Sequence, residues 1–295
     1  METLEPVTSL SLKNILLATD FSSGSETALK YAQAIAHRHA SHVHAIHVDG
    51  PDCYQLLDPD AFSITFNGPA AKSEHGTDVL RGLMQGLPIQ TPLRQGAIWE
   101  VIADVVARNE IDLLVLASHG RHGIPKLMLG SVAEDVFRNV PCPVLTVGPD
   151  VKACDARDLN IKKVLLATHF EHNSAAPLHA ALLANEFQAE LTILHVGEEH
   201  KIDAGAKSDG EITRQLLSTV PPEACLWRKP VCVLKYGLPS DKILEAAHQL
   251  RADLIVLGAR HPEPAKINSH LPWATAARVI AEAECPVLTV REKET

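Results

Sequence analysis

The chain lacks the features that mark several classes of protein. No apolar run approaches the roughly 18–20 residues that a membrane-spanning helix needs. The net charge of −9 is far from the basic excess of proteins that bind nucleic acid non-specifically. The first residues have neither the basic start nor the apolar stretch of a signal peptide. These absences predict a cytoplasmic protein with no membrane partner and no nucleic-acid partner.

Cysteine is present, but not in the patterns that bind zinc or form a disulfide framework. The six cysteines are scattered and show no Cys-x-x-Cys spacing. Cys142 and Cys285 stand at equivalent places before two terminal strands, where a buried, inert thiol is favoured over a reactive one.

Histidine is crowded into one stretch of the chain. His37, His39, His42, His44 and His47 are divided between a helix end and a strand. His42 and His44 share one face of that strand, and His47 has the opposite parity. Because metal ligands must converge, solvated or singly bonded histidines are favoured over a metal site, and the role of this cluster stays open.

What the chain does have is an internal repeat. Residues 14–20 return as residues 163–169, and residues 141–147 return as residues 284–290. At 295 residues, the chain also has the length of two domains. The predicted organisation is a first domain over residues 1–149, a polar linker over residues 150–160 and a second domain over residues 161–295.

Strand and helix patterns alternate in both halves, which predicts an α/β fold with a parallel sheet and helices on both faces. The predicted strands cover residues 12–19, 42–48, 91–95, 113–117 and 144–147, and then residues 163–168, 190–196, 232–236, 254–257 and 287–290. The helices predicted in the first half cover residues 26–39, 76–85, 98–106 and 132–139. Residues 49–75 show no steady period and are interpreted as a long variable loop.

One glycine-bearing loop distinguishes the two halves. The first half carries Ser118-His119-Gly120, then nine residues, then Gly130-Ser131. Gly120 permits a turn that most residues cannot make, and Gly130 lets phosphate oxygens approach the backbone. The helix that follows presents free amides and the positive end of its dipole to an anion. The loop therefore predicts a phosphate-binding site.

These motifs together resemble the universal stress proteins in their tandem two-domain form. The resemblance rests on residues 16–22, on His47-Val48, on the 118–131 loop and on the closing Pro-Cys-Pro-Val of residues 141–144. It implies a Rossmann-like sheet of five parallel strands in each half, in the order 3-2-1-4-5. The ATP-binding branch of the family carries Gly-x-x-Gly-x9-Gly-Ser/Thr, and here Ala117 replaces the first glycine.

The resemblance also implies the ligand and its contacts. The expected ligand is ATP, with or without magnesium, and neither catalytic residues nor metal-ligating residues are implied. Asp20 is expected near the ribose, and the backbone around Val48 near the adenine. The full set of expected binding residues is Ala18, Thr19, Asp20, Val48, Leu116, Ala117, His119, Gly120, Gly130, Ser131 and Val132.

Plainer structural roles remain open for several of these residues. Ser131 and Glu134 form a Ser-x-x-Glu capping box, so Ser131 could simply start a helix. Asp20 could cap the helix that follows it, and Gly120 could be an ordinary turn glycine. The methyl group of Ala117 could either tighten the site or weaken binding.

The second half has lost the glycines of this loop. Its residues 259–274 contain three prolines and no glycine, and His169 replaces Asp20. Aligned from the closing strand, Trp273 and Ala274 replace Gly130 and Ser131. We therefore expect a second half that does not bind ATP in the usual way and serves a structural or partner-binding role.

The leading functional hypothesis is a stress-response regulator that binds an adenine nucleotide and is not an enzyme. One alternative is a slow ATP hydrolase, for which only Asp20 and His119 are available as catalytic groups. The other is an interaction module without a ligand, favoured if Ala117 disables the site. The resemblance further implies that strands 144–147 and 287–290 pair within one chain. A homodimer stays an open possibility.

Overall fold

A computed structural model gives the structure of the chain. It describes residues 10–49, 53–66, 76–85, 87–90, 97–118, 131–169, 175–197, 208–224, 226–259 and 272–291. The described chain divides into two compact units, one mainly of residues 11–159 and the other mainly of residues 160–291. Each unit has a sheet of mostly parallel strands with helices between them, which confirms the predicted α/β fold class.

The first unit contains five described strands and five described helices. In chain order they are β1 (Asn14–Ala18), α1 (Ser23–His39), β2 (His42–Val48), β3 (Tyr54–Leu57), α2 (Pro59–Phe66), α3 (Gly76–Gln85), α4 (Ile98–Arg108), β4 (Leu113–Ala117), α5 (Ser131–Asn139) and β5 (Val144–Val147). The strands lie in the order β3-β2-β1-β4-β5. All neighbours are parallel except β3, which runs antiparallel to β2.

The loop predicted over residues 49–75 is wrong in its first part, which folds into β3 and α2. Asp49 and Cys53 close the turn between β2 and β3, with the Asp49 amide 3.1 Å from the Cys53 carbonyl oxygen. The Asp58 side chain accepts from the Ala61 amide at 2.9 Å and so caps α2, whose first residue is Pro59. Residues interpreted as loop formers therefore start a helix. The strand predicted over residues 91–95 lies outside the described residues.

The second unit repeats this plan with all of its strands parallel. Its elements are β6 (Lys163–Ala167), α6 (Ala176–Glu186), β7 (Glu190–Gly197), α7 (Asp209–Thr219), a 3-10 turn over residues 222–224, β8 (Val231–Tyr236), α8 (Pro239–Leu250), β9 (Leu254–Ala259), α9 (Pro272–Glu282) and β10 (Val287–Arg291). The strand order is β8-β7-β6-β9-β10. In this half the predicted order 3-2-1-4-5 is confirmed.

The two units share the same anchor at the start of their central strand. The Asp112 carboxylate accepts from the amides of Lys13 and Asn14 at 2.6 and 2.9 Å. In the second unit, Asp253 accepts from the amides of Lys162 and Lys163 at 2.8 and 3.0 Å. The sequence repeat is therefore a repeat of contacts as well.

Among the described residues, no helix combines the length and apolarity needed to cross a membrane. Cys142 and Cys285 are both buried, and burial raises the pKa of the Cys142 thiol to about 12. A thiol with so high a pKa forms almost no reactive thiolate near neutral pH.

Candidate functional site

The candidate site begins where the chain leaves β1. The Thr19 amide donates to the Ile46 carbonyl oxygen of β2 at 3.0 Å, and the Thr19 hydroxyl accepts from the Phe21 amide at 3.0 Å. Thr19 is buried, so these contacts fix the backbone at the carboxyl end of the strand. In open parallel sheets, ligands bind outside this edge.

Asp20 supports the turn that leads into α1. Its Oδ1 accepts from the Ser22 amide at 3.0 Å and from the Ser25 hydroxyl at 2.7 Å. Ser22 itself is the N-cap of α1, because its side chain accepts from the Ser25 amide. Asp20 therefore does not cap α1 itself but holds Ser22, the residue that does.

Phe21 adopts a conformation that is unusual for a residue with a large side chain. Its φ of 60° lies in the left-handed region. Arg81 of α3 donates from Nη2 to the Phe21 carbonyl oxygen at 3.0 Å, and the His47 ring lies 4.5 Å from the Phe21 ring. With the Thr19 contact, the neighbouring groups hold this strained backbone from several sides.

Three of the predicted binding residues share one face of the sheet. Ala18 pairs in register with Ile46, and Val48 lies two residues further along β2, so Ala18 and Val48 point to the same side. Leu17 pairs with Val115, which places Leu116 on that side as well. Ala117 has the other parity, and the structure therefore does not bring its side chain to the same face.

The glycine loop itself lies mostly outside the described residues, and with it His119, Gly120 and Gly130. On its near side, Ser118 is buried and its amide donates to the Val147 carbonyl oxygen at 2.9 Å. On its far side, α5 begins at Ser131, one residue before the predicted start at residue 132, and the Ser131 side chain is not described. Val132 is exposed in the first turn of this helix. Glu134 forms an ion pair with Arg138 one turn further on.

The second unit repeats the geometry at the strand ends with different chemistry. The His195 Nδ1 lies 3.1 Å from the Thr168 carbonyl oxygen, and the His47 Nδ1 lies 2.8 Å from that of Thr19. Because a carbonyl oxygen only accepts, Nδ1 carries the proton in both histidines. His169, at the position of Asp20, lies edge-on to His195 with the ring centroids 6.4 Å apart.

The second half also starts its corresponding helix differently. α9 begins at Pro272, so Trp273 and Ala274 both lie within its first turn. Since Ala274 aligns with Ser131, this helix starts two residues earlier than α5. Residues 260–271 lie outside the described residues.

Sequence reasoning missed a cavity beside Phe21. Its volume is about 470 Å³, and its walls include Phe21, His47, Asp49, Arg81 and Gln85. These residues come from the turn after β1, the end of β2 and helix α3. The only sequence signal was the pair of motifs that contain Phe21 and His47, and the partners from α3 carry no motif of their own.

The described residues do not form a metal site. No three histidine, cysteine, aspartate or glutamate side chains among them are arranged to hold an ion. His44 of the crowded histidine stretch is half-buried, and burial, together with the nearby His42, lowers its pKa.

Comparison with known proteins identifies the family. The universal stress protein family model matches residues 11–148 and again residues 160–291. A universal stress protein from Methanocaldococcus jannaschii is 32% identical over 140 residues, which are 46% of this chain and 81% of that protein. One from Mycolicibacterium smegmatis is 23% identical over 296 residues, covering 95% and 97% of the two chains.

A solved structure shares the same fold. The crystal structure of a universal stress protein from Archaeoglobus fulgidus superposes with a TM-score of 0.64 at 20% identity, covering 96% of this chain and all of that one (100%). Because the family model matches both repeats, which together make up most of the sequence, the chain belongs to the universal stress protein family.

Proposed function

We propose that this chain is a stress-response regulator that binds an adenine nucleotide, ATP, in its first half. The observation that carries the proposal is the position of α5. Strand order in the first sheet reverses between β1 and β4, and the chain that leaves β4 returns as α5 at Ser131. A helix that starts beyond such a reversal offers free backbone amides to an anion.

The described residues around this point fit a nucleotide. Ala18 and Val48 are half-buried and give one face of the strand ends a small, apolar surface suited to a flat base, and the buried Leu116 lies on the same face. Asp20 lies at the mouth of the same edge and is expected near the ribose. His119, Gly120, Gly130 and the Ser131 hydroxyl complete the proposed site on the phosphate side, and magnesium would be held by the phosphates.

Binding is favoured over hydrolysis by the contacts of Asp20. A general base must reach the attacking water, and because Oδ1 of Asp20 is engaged by Ser22 and Ser25, only Oδ2 is left for that role. The second half is proposed to bind no ATP, because α9 places Trp273 in its first turn where the first half has Gly130.

Titration calorimetry of the nucleotide-stripped chain with ATP and magnesium tests this proposal. We expect one site per chain, weakened at least about tenfold in Gly130→Trp, since a bulky side chain would fill the space for phosphate oxygens. Gly210→Trp is the matched control, because Gly210 is exposed on α7 and an added Cβ there meets no neighbouring atom.

Each alternative result would favour a different function for the chain. Two sites per chain would contradict the proposed silence of the second half. No binding would favour the interaction module without a ligand, with Ala117 as the first residue to change back to glycine. Phosphate release above the blank, lost in Asp20→Ala, would favour the hydrolase.

A further inference from the structure

One edge of β8, the outer strand of the second sheet, faces away from every other strand that the structure describes. The Gly237 amide donates to the Gly197 carbonyl oxygen of β7 at 3.1 Å, which fixes the direction of the neighbouring peptide groups. Because these groups alternate along a strand, the N–H and C=O groups of Cys232, Leu234 and Tyr236 point away from β7. They make no hydrogen bond with any described residue.

The outer strand of the first sheet, β3, is covered in part at its own edge. The Tyr54 amide donates to the Gln90 carbonyl oxygen at 2.9 Å, and the Gln90 amide donates to the Tyr54 carbonyl oxygen at 2.8 Å. A strand residue directs both of its backbone groups to one side, so these bonds leave β3 on the side away from β2. The two halves therefore differ in how they treat the outer edge of their sheet.

Exposed apolar side chains gather at and beside β8. Among the residues that the structure describes, six large apolar side chains are exposed, and four of them lie between residues 227 and 238. These are Trp227, Val231, Tyr236 and Leu238, with exposed fractions of 49%, 59%, 47% and 51%. A strand edge that is both open and apolar is a template for pairing with another strand.

The lysine of β8 does not block this edge. Lysine on an edge strand opposes pairing with another chain when its charge extends past the strand. The Lys235 Nζ instead lies 2.8 Å from Glu245 Oε1 and 3.1 Å from Gln249 Oε1, both on α8. The ammonium group is therefore held against the helix, and the edge stays open to a second strand.

The edge is complementary to a second copy of itself. In an antiparallel pair, opposite residues whose backbone groups point outward exchange both hydrogen bonds. A two-fold axis at Leu234 pairs the two Leu234 residues, and it pairs Cys232 with Tyr236 of the second copy. An axis at Val233 would place Pro230, which has no amide hydrogen, opposite Tyr236. An axis at Lys235 would place two lysines opposite each other, so Leu234 is favoured.

The charges at the two ends of β8 favour the same antiparallel arrangement. The basic residues Arg228 and Lys229 precede the strand. At its other end, the Tyr236 hydroxyl donates to the Asp209 carboxylate at 3.0 Å, and Asp209 and Glu211 lie in the first turn of α7. Antiparallel pairing brings the basic start of each strand towards the acidic end of the other.

We propose that β8 is a docking edge for a second copy of this chain, which pairs with it antiparallel about a two-fold axis at Leu234. The outward backbone groups then bond across the axis, and the apolar side chains beside the strand are covered from water. The same surface serves on both copies, as in other two-fold dimers. The interface joins second halves, so it does not depend on nucleotide binding in the first half.

Sedimentation velocity of the full chain, compared with its Leu234→Lys and Leu234→Glu variants, tests this proposal. We expect the unchanged chain to sediment as a dimer and each variant alone as a monomer, because each places two like charges opposite each other at the axis. An equimolar mixture of the two variants is expected to regain the dimer, since lysine then faces glutamate. A variant that had lost its fold would not be rescued by mixing.

Ile89→Lys is the matched control, because Ile89 is an exposed apolar residue of the first unit, and this variant is expected to stay dimeric. Hydrogen exchange gives a second readout, in which the amides of Cys232 and Tyr236 are protected in the dimer and exchange rapidly in either variant alone. An unchanged chain that is monomeric, a dimer that persists in Leu234→Lys, or a mixture that stays monomeric would each overturn the proposal.

Discussion

At the scale of single residues, the turn after β1 depends on one hydroxyl group. The amide of Phe21 is buried, and its partner is the Thr19 Oγ1 at 3.0 Å. A valine at this position has the same shape but no acceptor. The amide would then lose its hydrogen bond in a backbone that is already strained at φ 60°.

We therefore expect Thr19→Val to lower the free energy of unfolding by about 1–2 kcal/mol, measured by urea denaturation. Thr168→Val in the second unit is the matched control. Thr168 occupies the equivalent position, and its side chain makes no hydrogen bond with any described residue. Equal losses in the two variants would show that the Phe21 contact is not the cause.

Burial of histidine predicts how stability depends on pH. His44, His179 and His195 each have a lowered pKa, in each case mainly because burial disfavours the charged ring. The unfolded chain therefore takes up protons near the ordinary imidazole pKa of about 6.5, before the folded chain does. The stabilising contribution of the neutral rings is complete above that pH and is lost as the pH falls below it.

We expect His179→Gln to reduce this loss, because glutamine can still donate to the Ala175 carbonyl oxygen, which lies 2.9 Å from the His179 Nδ1, and cannot be protonated. Urea denaturation above and below pH 6.5 measures the slope. His248→Gln is the comparison, at an exposed position on α8. An unchanged slope in His179→Gln would mean that this ring is protonated in the folded chain as readily as in the unfolded one.

At the scale of elements, the ends of helices are set by side chains that can be tested singly. Ser208 and Glu211 form a complete capping box at the start of α7, with the Ser208 amide 2.8 Å from Glu211 Oε2. Ser208→Ala removes one partner of the pair. We expect a loss of about 1 kcal/mol, seen as faster hydrogen exchange in the first turn of α7.

The control for this change lies at the other end of the same helix. The Ser218 hydroxyl donates to the Gln215 carbonyl oxygen, and its loss leaves no amide without a partner. Ser218→Ala should therefore leave the first turn unchanged. Faster exchange along the whole of α7 in both variants would contradict a local capping role for Ser208.

The elements that could be predicted are those with a long and regular pattern. The sequence alone places β4 at residues 113–117, because it is an uninterrupted apolar run, and α3 at residues 76–85, where Leu80 and Met84 are buried at helical spacing. β3 has only four residues, and α2 opens with Asp58-Pro59, which is equally typical of a loop. Both elements depend on contacts with β2, and no local sequence pattern predicts those contacts.

The candidate site also has one part that could be predicted from the sequence and one part that could not. Ala18, Val48 and Leu116 come together because strand register follows from the parallel sheet, and this could be expected from the family motifs. The cavity could not, since Arg81 and Gln85 reach it from a helix about sixty residues beyond Phe21. Contacts at such a distance in sequence depend on the whole fold.

At the scale of the whole molecule, the sequence predicts that the two halves pair with each other through one strand of each. Strands 144–147 and 287–290 are proposed to pair, and each is an apolar strand at the end of the sheet of its own unit. An apolar end strand that lacks its partner is a template for pairing with another chain. Residues 1–149 expressed alone are therefore expected to dimerise or aggregate, as measured by light scattering.

The same isolated half offers its own control. Thr146→Lys places a charge in the end strand, and lysine on an edge opposes pairing with another chain. We expect this variant of residues 1–149 to shift towards a monomer, with its helix content unchanged by circular dichroism. A first half that is soluble and monomeric without the lysine would contradict the proposed pairing, because it would show that the end strand needs no partner.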